Sequence, residues 1–538
     1  VTVNSESKLD RHSPGGTPKL KKVIIINVTE HEQRIAIIEN ERLVELSYQR
    51  PEDVKLTGGI YKGIVTAVFP GMQAAFVEIG EARTAFLHSS DLRRLGEGEG
   101  YDADYVDEES ITDLVKKQRR GNIQDVLRKK QEVLVQVIKE PLGTKGARLS
   151  TQISLPGRFV VLVPDDHSVR ISRRIHNWAE KRRLKKILSP LRPEGFGLIA
   201  RTESEGKAER DFKSDVRKLT KTWKKISKDA AKKEAPALLH QELDITGSLM
   251  RDVFSDDVER LVVDDRKVYR SIVSYLKSVD PALRSKIERY DGDVPIFDLY
   301  AVEPEIEKLF DRKVWLKKGS FLVIDQTEAM FTIDVNTGRY VGKKSQEDTI
   351  LRANLEAARE VARQIRLRDI GGLIIIDFID MMHFDNRRRV YDEFKEAFRL
   401  DRAKRSICPI SDFGLIEMTR QRVRPPLTQS LSDPCPVCDG RGRVLSKDTL
   451  GLKLERWFAR AKIATDIKKF RLITHPAFAE YIADPREKRL EKIAKSLRLK
   501  IDLDSSEALA PDKYQVFSVS DGVELTEMFS PRPGKVKV

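Results

Sequence analysis

The sequence is short of cysteine, of acid relative to base, and of long apolar runs. Three cysteines occur in 538 residues, two of them inside one C-x-x-C. That is too few for a disulfide framework and fits a reducing interior, so a cytoplasmic setting is expected. No apolar run approaches the ~20 residues of a membrane-spanning helix, and no secretory signal is visible. Acids fall short of lysine plus arginine by 99 − 84 = 15, with a pI near 9.4. Such an excess of base points to a polyanionic partner, nucleic acid before membrane. No long proline- or arginine-rich tail follows the last folded segment. The first residue is Val1, which leaves room for a segment upstream. At this length one core is not enough, and several domains are expected.

The most informative stretch is 321–380. Two short apolar runs, 321–324 and 331–335, flank Asp325-Gln326-Thr327-Glu328 as a strand–turn–strand. Leu351, Leu355, Ala358, Ala362 and Ile365 then recur at helical spacing, and Gly371-Gly372 stops that helix. The uniformly apolar 373–376 reads as a buried strand. Asp334 and Asp377 each close such a strand, and Asn336 shares a face with Asp334 if its strand continues. A carboxylate there needs a hydrogen-bond partner, a cation or solvent. Two acids and an amide are hard oxygen ligands of the kind Mg²⁺ takes, and such a site suits phosphodiester hydrolysis. Strand capping or pairing with nearby arginines fits the same spacing. Asp380 is a competing ligand, and spacing does not choose.

Between 58 and 150, short strands (60–69, 74–79, 84–88, 133–139) alternate with turns at Pro70-Gly71 and Gly80. This pattern suggests a small barrel; the OB-fold is the version that grips single-stranded nucleic acid. Phe76 and Phe86 would offer flat faces to bases, and Lys145, in a glycine-rich loop, would meet a phosphate. Residues 96–131 interrupt the barrel, acidic first and basic second, and read as an exposed loop. Farther on, strands at 155–163, 169–175 and 196–202 surround a basic helix at 177–188, and 211–233 is a long basic helix. His240 and His383 are isolated and carry no assignment.

Cys435-Pro436-Val437-Cys438, with Gly440 and Gly442 just after, is a metal knuckle, and thiolates favour Zn²⁺. The motif offers two of the usual four ligands. Cys408 and a histidine would complete it within one chain; two chains donating two cysteines each would complete it across a two-fold axis. A redox C-x-x-C opens a helix after a strand, which the glycines here disfavour. Beyond 446 a helix (450–470), a strand (471–474), a helix near 486–497 and strands ending near 519 make a small α/β domain.

The segments FTIDVNTGRYVGKKSQEDTILRANLEAAREVARQIRLRDIGGLIIIDFIDM and FGLIEMTRQR resemble the catalytic domain of the bacterial ribonuclease E/G family. YKGIVTAVFPGMQAAFVEIGEARTAFL resembles its embedded OB-fold, and SLPGRFVVLVP, ISRRI and GFGLIARTE resemble its 5′-end sensor. The resemblance implies a multidomain α/β (α+β) protein. Its parts would be a tail (1–19), an RNase-H-like domain in two pieces (20–54 and 247–309), an OB-fold domain (55–151), a sensor (152–246), a DNase-I-like catalytic domain (310–431), a zinc link (432–445) and a C-terminal domain (446–538). It implies Mg²⁺ on Asp334 and Asp377 with help from Asn336, and a supporting role for Asp380. It places Phe76, Phe86 and Lys145 along the RNA channel, and Gly157, Val161, Arg201, Thr202 and Lys404 at a 5′-phosphate. Arg201 and Thr202 have the donors for that clasp, although Glu203 and Glu205 are alternative partners for the arginine. Lys404 stands where ribonuclease E members carry arginine. It keeps the charge and loses the fork, which implies a weaker 5′-monophosphate preference and, with the zinc segment, resembles the ribonuclease G branch.

The implied activity is a single-strand-specific endoribonuclease that leaves a 3′-hydroxyl and a 5′-phosphate and acts in rRNA maturation and mRNA turnover. The implied assembly is a homodimer sharing Zn²⁺ between Cys435 and Cys438 of each chain, or a tetramer. Two rivals are an RNA-binding assembly protein that does not cut and a DNA nuclease.

Overall fold

The structure is a computed structural model and describes residues 21–50, 56–92, 122–141, 146–241, 244–255, 257–317, 319–338, 346–422, 424–438 and 440–529. Lys145, the expected tail at 1–19 and most of the expected insertion at 96–131 lie outside these residues. Two compact units emerge, Val1–Ser430 and Leu431–Val538.

The first unit carries four sheets. One is five-stranded, in the spatial order Ile287–Arg289, Val258–Val263, Lys22–Val28, Gln33–Glu39, Arg42–Gln49. Its isoleucine-rich hairpin pairs in parallel with Val258–Val263, so chain segments far apart in sequence close one core around Ile24, Ile26 and Leu261.

The second sheet is a closed barrel. Ile60–Phe69 pairs on one side with Ala74–Glu78 and on the other with Glu132–Lys139. Closure brings backbones together at Gly63, where a Cβ would sit 2.6 Å from a Val77 methyl and 2.9 Å from the Glu78 carbonyl. Val65, Ala75, Val77, Ala85, Leu87 and Val135 fill the interior. The described end of the expected 96–131 loop is mostly exposed but anchored: Ile123–Val126 is a helical turn, and Ile123 and Leu127 are buried in the barrel core. Two apolar residues four apart suffice to pin that end of the connection.

The third sheet has the order Val169–Ile171, Phe196–Ala200, Val160–Pro164, Leu155–Pro156. The single strand expected over 155–163 is broken at Gly157, and its two halves fold back as an antiparallel pair. Helices Trp178–Leu191 and Glu209–Lys232 cover the sheet through Leu184, Leu188, Phe212 and Val216.

The fourth sheet has six strands in the order Lys313–Trp315, Phe321–Gln326, Met330–Asn336, Gly372–Asp377, Leu415–Arg420, Arg405–Ile407. Only Met330–Asn336 and Gly372–Asp377 run parallel, because the helix Gln346–Leu367 crosses over between them. That helix also binds the five-stranded sheet: the Arg366 guanidinium reaches Glu39 at 2.9 Å and Glu45 at 2.8 Å. Burial opposes the charge on Arg366, but the two carboxylates outweigh it and raise its pKa.

The second unit is a three-stranded sheet, Lys500–Ser505, Lys469–Thr474, Tyr514–Ser518, packed on helices Lys447–Ala464, Pro476–Ile482 and Arg489–Leu497. The helix expected to reach residue 470 stops at Ala464. Its apolar period, Leu450, Leu454, Trp457, Phe458, Ala461, ends there, and Phe470 enters the core from the strand. Among the described residues no helix is long and apolar enough to cross a membrane.

Candidate functional site

Asp334 and Asp377 are register partners on the two parallel strands. Ile333 and Val335 flank the first, Ile376 and Phe378 the second, and all four are buried. The pleat therefore turns both carboxylates outward at the same level of the sheet. The carboxamide of Asn336 donates to Asp334 Oδ2 at 2.8 Å. Desolvation raises the pKa of Asp377, and the negative charges of Asp334 and then Asp380 raise it further. Among the described residues no ion pair reaches any of these three acids. Arginines elsewhere in the same domain are committed to other acids. Arg420 holds Asp369 at 3.0 Å and Asp401 at 2.9 Å, Arg424 also pairs with Asp369, and Arg363 holds Glu360 at 2.7 Å.

Among the described residues no group of three or more His, Cys, Asp or Glu is placed to hold a metal ion. The site is thus a carboxylate pair with an amide beside it. A pair fits Mg²⁺, which is ordinarily held by one or two carboxylates and completes its shell with water and substrate phosphate.

Asn354 is a residue that the sequence reading passed over. It is 0% exposed on the crossover helix. Its Nδ2 donates to the Ile379 carbonyl at 2.8 Å, and its Oδ1 accepts the Ile379 N–H at 3.1 Å. The side chain thus imitates a strand partner for the turn between Asp377 and Asp380. The available signal was an amide set between Leu351 and Ala358 on a buried helix face.

On the barrel, Phe76 and Phe86 are register partners with ring centroids 6.0 Å apart. Both are half-buried, while the alternating Ala75, Val77, Ala85 and Leu87 are fully buried. The two rings therefore lie on the outside of the barrel rather than in its core. Lys145, expected beside them, is outside the described residues.

In the third sheet, Arg201 donates from Nη1 to the Gly157 carbonyl at 2.6 Å. Its Nη2 lies 2.7 Å from Asp252, which is its partner in place of Glu203 or Glu205. Burial works against the charge on Asp252, but Arg251 and Arg201 prevail and hold its pKa below the usual carboxylate range. A Cβ on Gly157 would collide with the Asp215 carboxylate, whose Oδ2 accepts the Phe159 and Val160 N–H groups at 2.8 and 3.1 Å. Val161 is buried in the adjoining strand, and Thr202 follows directly on Arg201 in a 3₁₀ turn. Arg174 Nη2 donates to the Arg402 carbonyl at 3.0 Å, which brings the segment carrying Lys404 against this sheet.

In the second unit, Cys435 is exposed and Cys438 half-buried. Cys438 Sγ accepts the Gly442 N–H at 3.3 Å, and the N–H groups of Cys438 and Val437 hold the Cys435 thiol below its usual pKa. N–H groups turned onto sulfur suit thiolate ligands. Among the described residues no helix starts at this motif, unlike the helix-opening placement of a redox C-x-x-C.

The model of the Ribonuclease E/G family matches residues 154–423. The chain belongs to the ribonuclease E/G family. An S1 RNA binding domain matches residues 56–152, the closed barrel, and an RNase E/G, Thioredoxin-like domain matches residues 434–519. The chain is therefore a multidomain α/β protein with an OB-type barrel beside a ribonuclease E/G domain. Ribonuclease G of Salmonella typhimurium is 40% identical over 470 residues, which is 87% of this chain and 94% of that protein. Ribonuclease G of Haemophilus influenzae is 38% identical over 459 residues, 85% of this chain and 91% of that protein. Ribonuclease E of Haemophilus influenzae is 38% identical over 510 residues, 94% of this chain and 53% of that protein. The family member described here is thus similar to the ribonuclease G proteins over nearly their whole length.

Proposed function

We propose that this ribonuclease E/G family member is an endoribonuclease that hydrolyses single-stranded RNA with Mg²⁺, in RNA processing and turnover. Enzyme class and RNA as substrate follow from the family and from its ribonuclease G and E relatives. The observation that carries the mechanism is the side-by-side placement of Asp334 and Asp377 without a cationic partner among the described residues. A pair of unneutralised carboxylates opposes the approach of a phosphodiester unless a cation intervenes.

In this reading Asp334 and Asp377 hold the ion and Asn336 fixes the rotamer of Asp334 by its hydrogen bond. Mg²⁺, when bound, supplies charge neutralisation at the phosphate and a more acidic water. The protein's own groups orient and position. Phe76 and Phe86 stack bases on the barrel, with Lys145 as a phosphate contact. Arg201, Thr202, the Gly157 backbone and Lys404 receive a 5′-monophosphate, and Val161 shapes the pocket wall. The products are a 3′-hydroxyl and a 5′-phosphate. In fold terms, the five-stranded sheet is the RNase-H-like part and the six-stranded open sheet the DNase-I-like part. Cys435 and Cys438, with the same two residues of a second chain, would hold a structural Zn²⁺ and so link a homodimer.

The deciding experiment is cleavage of a single-stranded RNA, and of DNA of the same sequence, by wild type and by Asp377→Asn with Mg²⁺ present. Cleavage of RNA alone by wild type, with none by the variant, is expected. A variant that still cuts overturns the metal assignment.

A further inference from the structure

The outward face of the six-stranded sheet continues past the acid pair. Strand register lays Lys313, Val323, Asp334 and Asp377 in one row across four neighbouring strands. It lays Trp315, Phe321 and Asn336 in a second row on the same face. The alternating Val314, Leu322 and Val335 turn the other way, into the core. Two strand spacings put Lys313 about 10 Å from Asp334 along their row.

This end of the face is aromatic and cationic. Trp315 is 62% exposed, and its ring lies 5.3 Å from that of Phe321 at an angle of 58°. The Lys313 ammonium sits 4.1 Å from the centre of the Trp315 ring and 3.5 Å from that of Phe321, a cation held over two π faces. No acid pairs with Lys313 among the described residues, and Asp325, two residues beyond Val323 on the same face, is held by Arg312 instead. A Cβ on Gly338 would collide with the Gly319 carbonyl and stand 3.2 Å from a Phe321 ring carbon. The chain leaving Asn336 therefore passes directly against this ring.

We infer that Trp315 and Lys313 form a nucleotide subsite beside the scissile bond. Trp315 stacks the base of a nucleotide one to three positions from that bond, and Lys313 contacts its phosphate. An open aromatic face with a cation beside it matches the two things every nucleotide offers, a π face and an anion. The span follows from the reach: stacked nucleotides advance about 3.4 Å each along a strand, so about 10 Å covers about three. Lysine is depleted at the centre of protein interfaces, which favours nucleic acid over a second copy of the chain as the occupant. The inference rests on the reading of Asp334 and Asp377 as the cutting site, and it adds to that site a grip on the neighbouring nucleotide.

The test is cleavage by the full-length protein, with Mg²⁺, of a 5′-hydroxylated single-stranded RNA that has one cleavage site. The RNA is used intact and with one abasic nucleotide at each of the three positions on either side of that site. Trp315→Leu keeps an apolar contact with Phe321 and removes the flat indole, and Trp315→Phe keeps a ring. Trp315→Leu is expected to lower kcat/KM on intact RNA about 5- to 150-fold, the range of one base–aromatic stack. Wild type is expected to lose a similar factor at one abasic position. Trp315→Leu abolishes that penalty, and Trp315→Phe keeps most of it. Lys313→Gln leaves the abasic profile in place and reduces the slope of log kcat/KM against log salt by about 0.7, the share of one phosphate on a single strand. A wild-type abasic profile in Trp315→Leu overturns the base contact, and an unchanged salt slope in Lys313→Gln overturns the phosphate contact. A native mass shifted by Trp315→Leu shows a contact between chains and also overturns the inference. Cleavage that survives Asp377→Asn is a separate outcome, because it removes the cutting site from this face whatever the abasic profile. If wild type leaves RNA uncut, both readings fall.

Discussion

Asp334 and Asp377 face each other across two parallel strands, 43 positions apart in sequence and adjacent in register. Neither has a cationic partner among the described residues, whereas the buried Glu360, Asp369 and Asp401 each pair with an arginine. Removing one charge of this pair is expected to do two opposite things. Asp377→Asn should lower the cleavage rate at least about a thousandfold, since a bound cation contributes several kcal/mol at the transition state. The same change relieves repulsion with Asp334 and Asp380, so without divalent cation the variant should melt no lower than wild type. Cleavage assays and thermal melts check the two halves, and RNA affinity should stay within about twofold because most of the binding surface lies on other sheets.

Asn354 is expected to matter through Ile379. Replacing it with leucine leaves the Ile379 N–H and carbonyl unpaired inside the protein, which costs about 2–4 kcal/mol. If the amide also holds Asp377 in place, the concentration of Mg²⁺ for half-maximal cleavage rises beyond what lost stability explains. Isothermal titration of the folded variant with Mg²⁺ gives the same answer without turnover. Unchanged Mg²⁺ affinity would reduce Asn354 to a stabilising residue.

The sensor pocket predicts a substrate ratio. Arg201 spends one nitrogen on Gly157 and another on Asp252. Arg201→Lys cannot make both contacts in one plane and should lower the preference for 5′-phosphorylated over 5′-hydroxylated RNA about tenfold or more. Lys404→Arg restores a planar fork and should raise that preference. The ratio of cleavage rates on the two oligonucleotides is the readout, and a ratio that neither change moves rules these residues out as the sensor.

Asp215 supplies a pH dependence. Burial raises its pKa despite the backbone N–H groups it accepts. A carboxyl that is harder to ionise folded than unfolded favours the fold when protonated. Its contribution is complete below about pH 4, the ordinary aspartate value, and is lost as pH rises through the raised folded value. Asp215→Asn should therefore lose less stability than wild type between pH 4 and neutrality. Parallel melting curves across that range would show that Asp215 is not the source.

The C-x-x-C predicts a mass change. A strong zinc chelator should convert the dimer to monomer in native mass measurement, and Cys435→Ser should do so without chelator. A dimer that survives both is held by some other surface.

Local pattern in the sequence located the strands and the crossover helix around Asp334 and Asp377, because alternation and helical spacing are properties of neighbouring residues. It also reached the barrel strands and the two-cysteine turn. What these local patterns could not express was partnership at long range. The register that puts Asp334 beside Asp377, the clamp of Asn354 on Ile379, and the choice of Asp252 by Arg201 all depend on residues far apart in the chain. Phe69 and His88 read as ordinary strand ends until the register of three successive strands aligned them with Phe76 and Phe86. Sequence alone determined which side chains were available and which faces they could share within one strand or helix. Tertiary structure decided which of them meet, because register between strands and docking between sheets are set by the packing of whole cores.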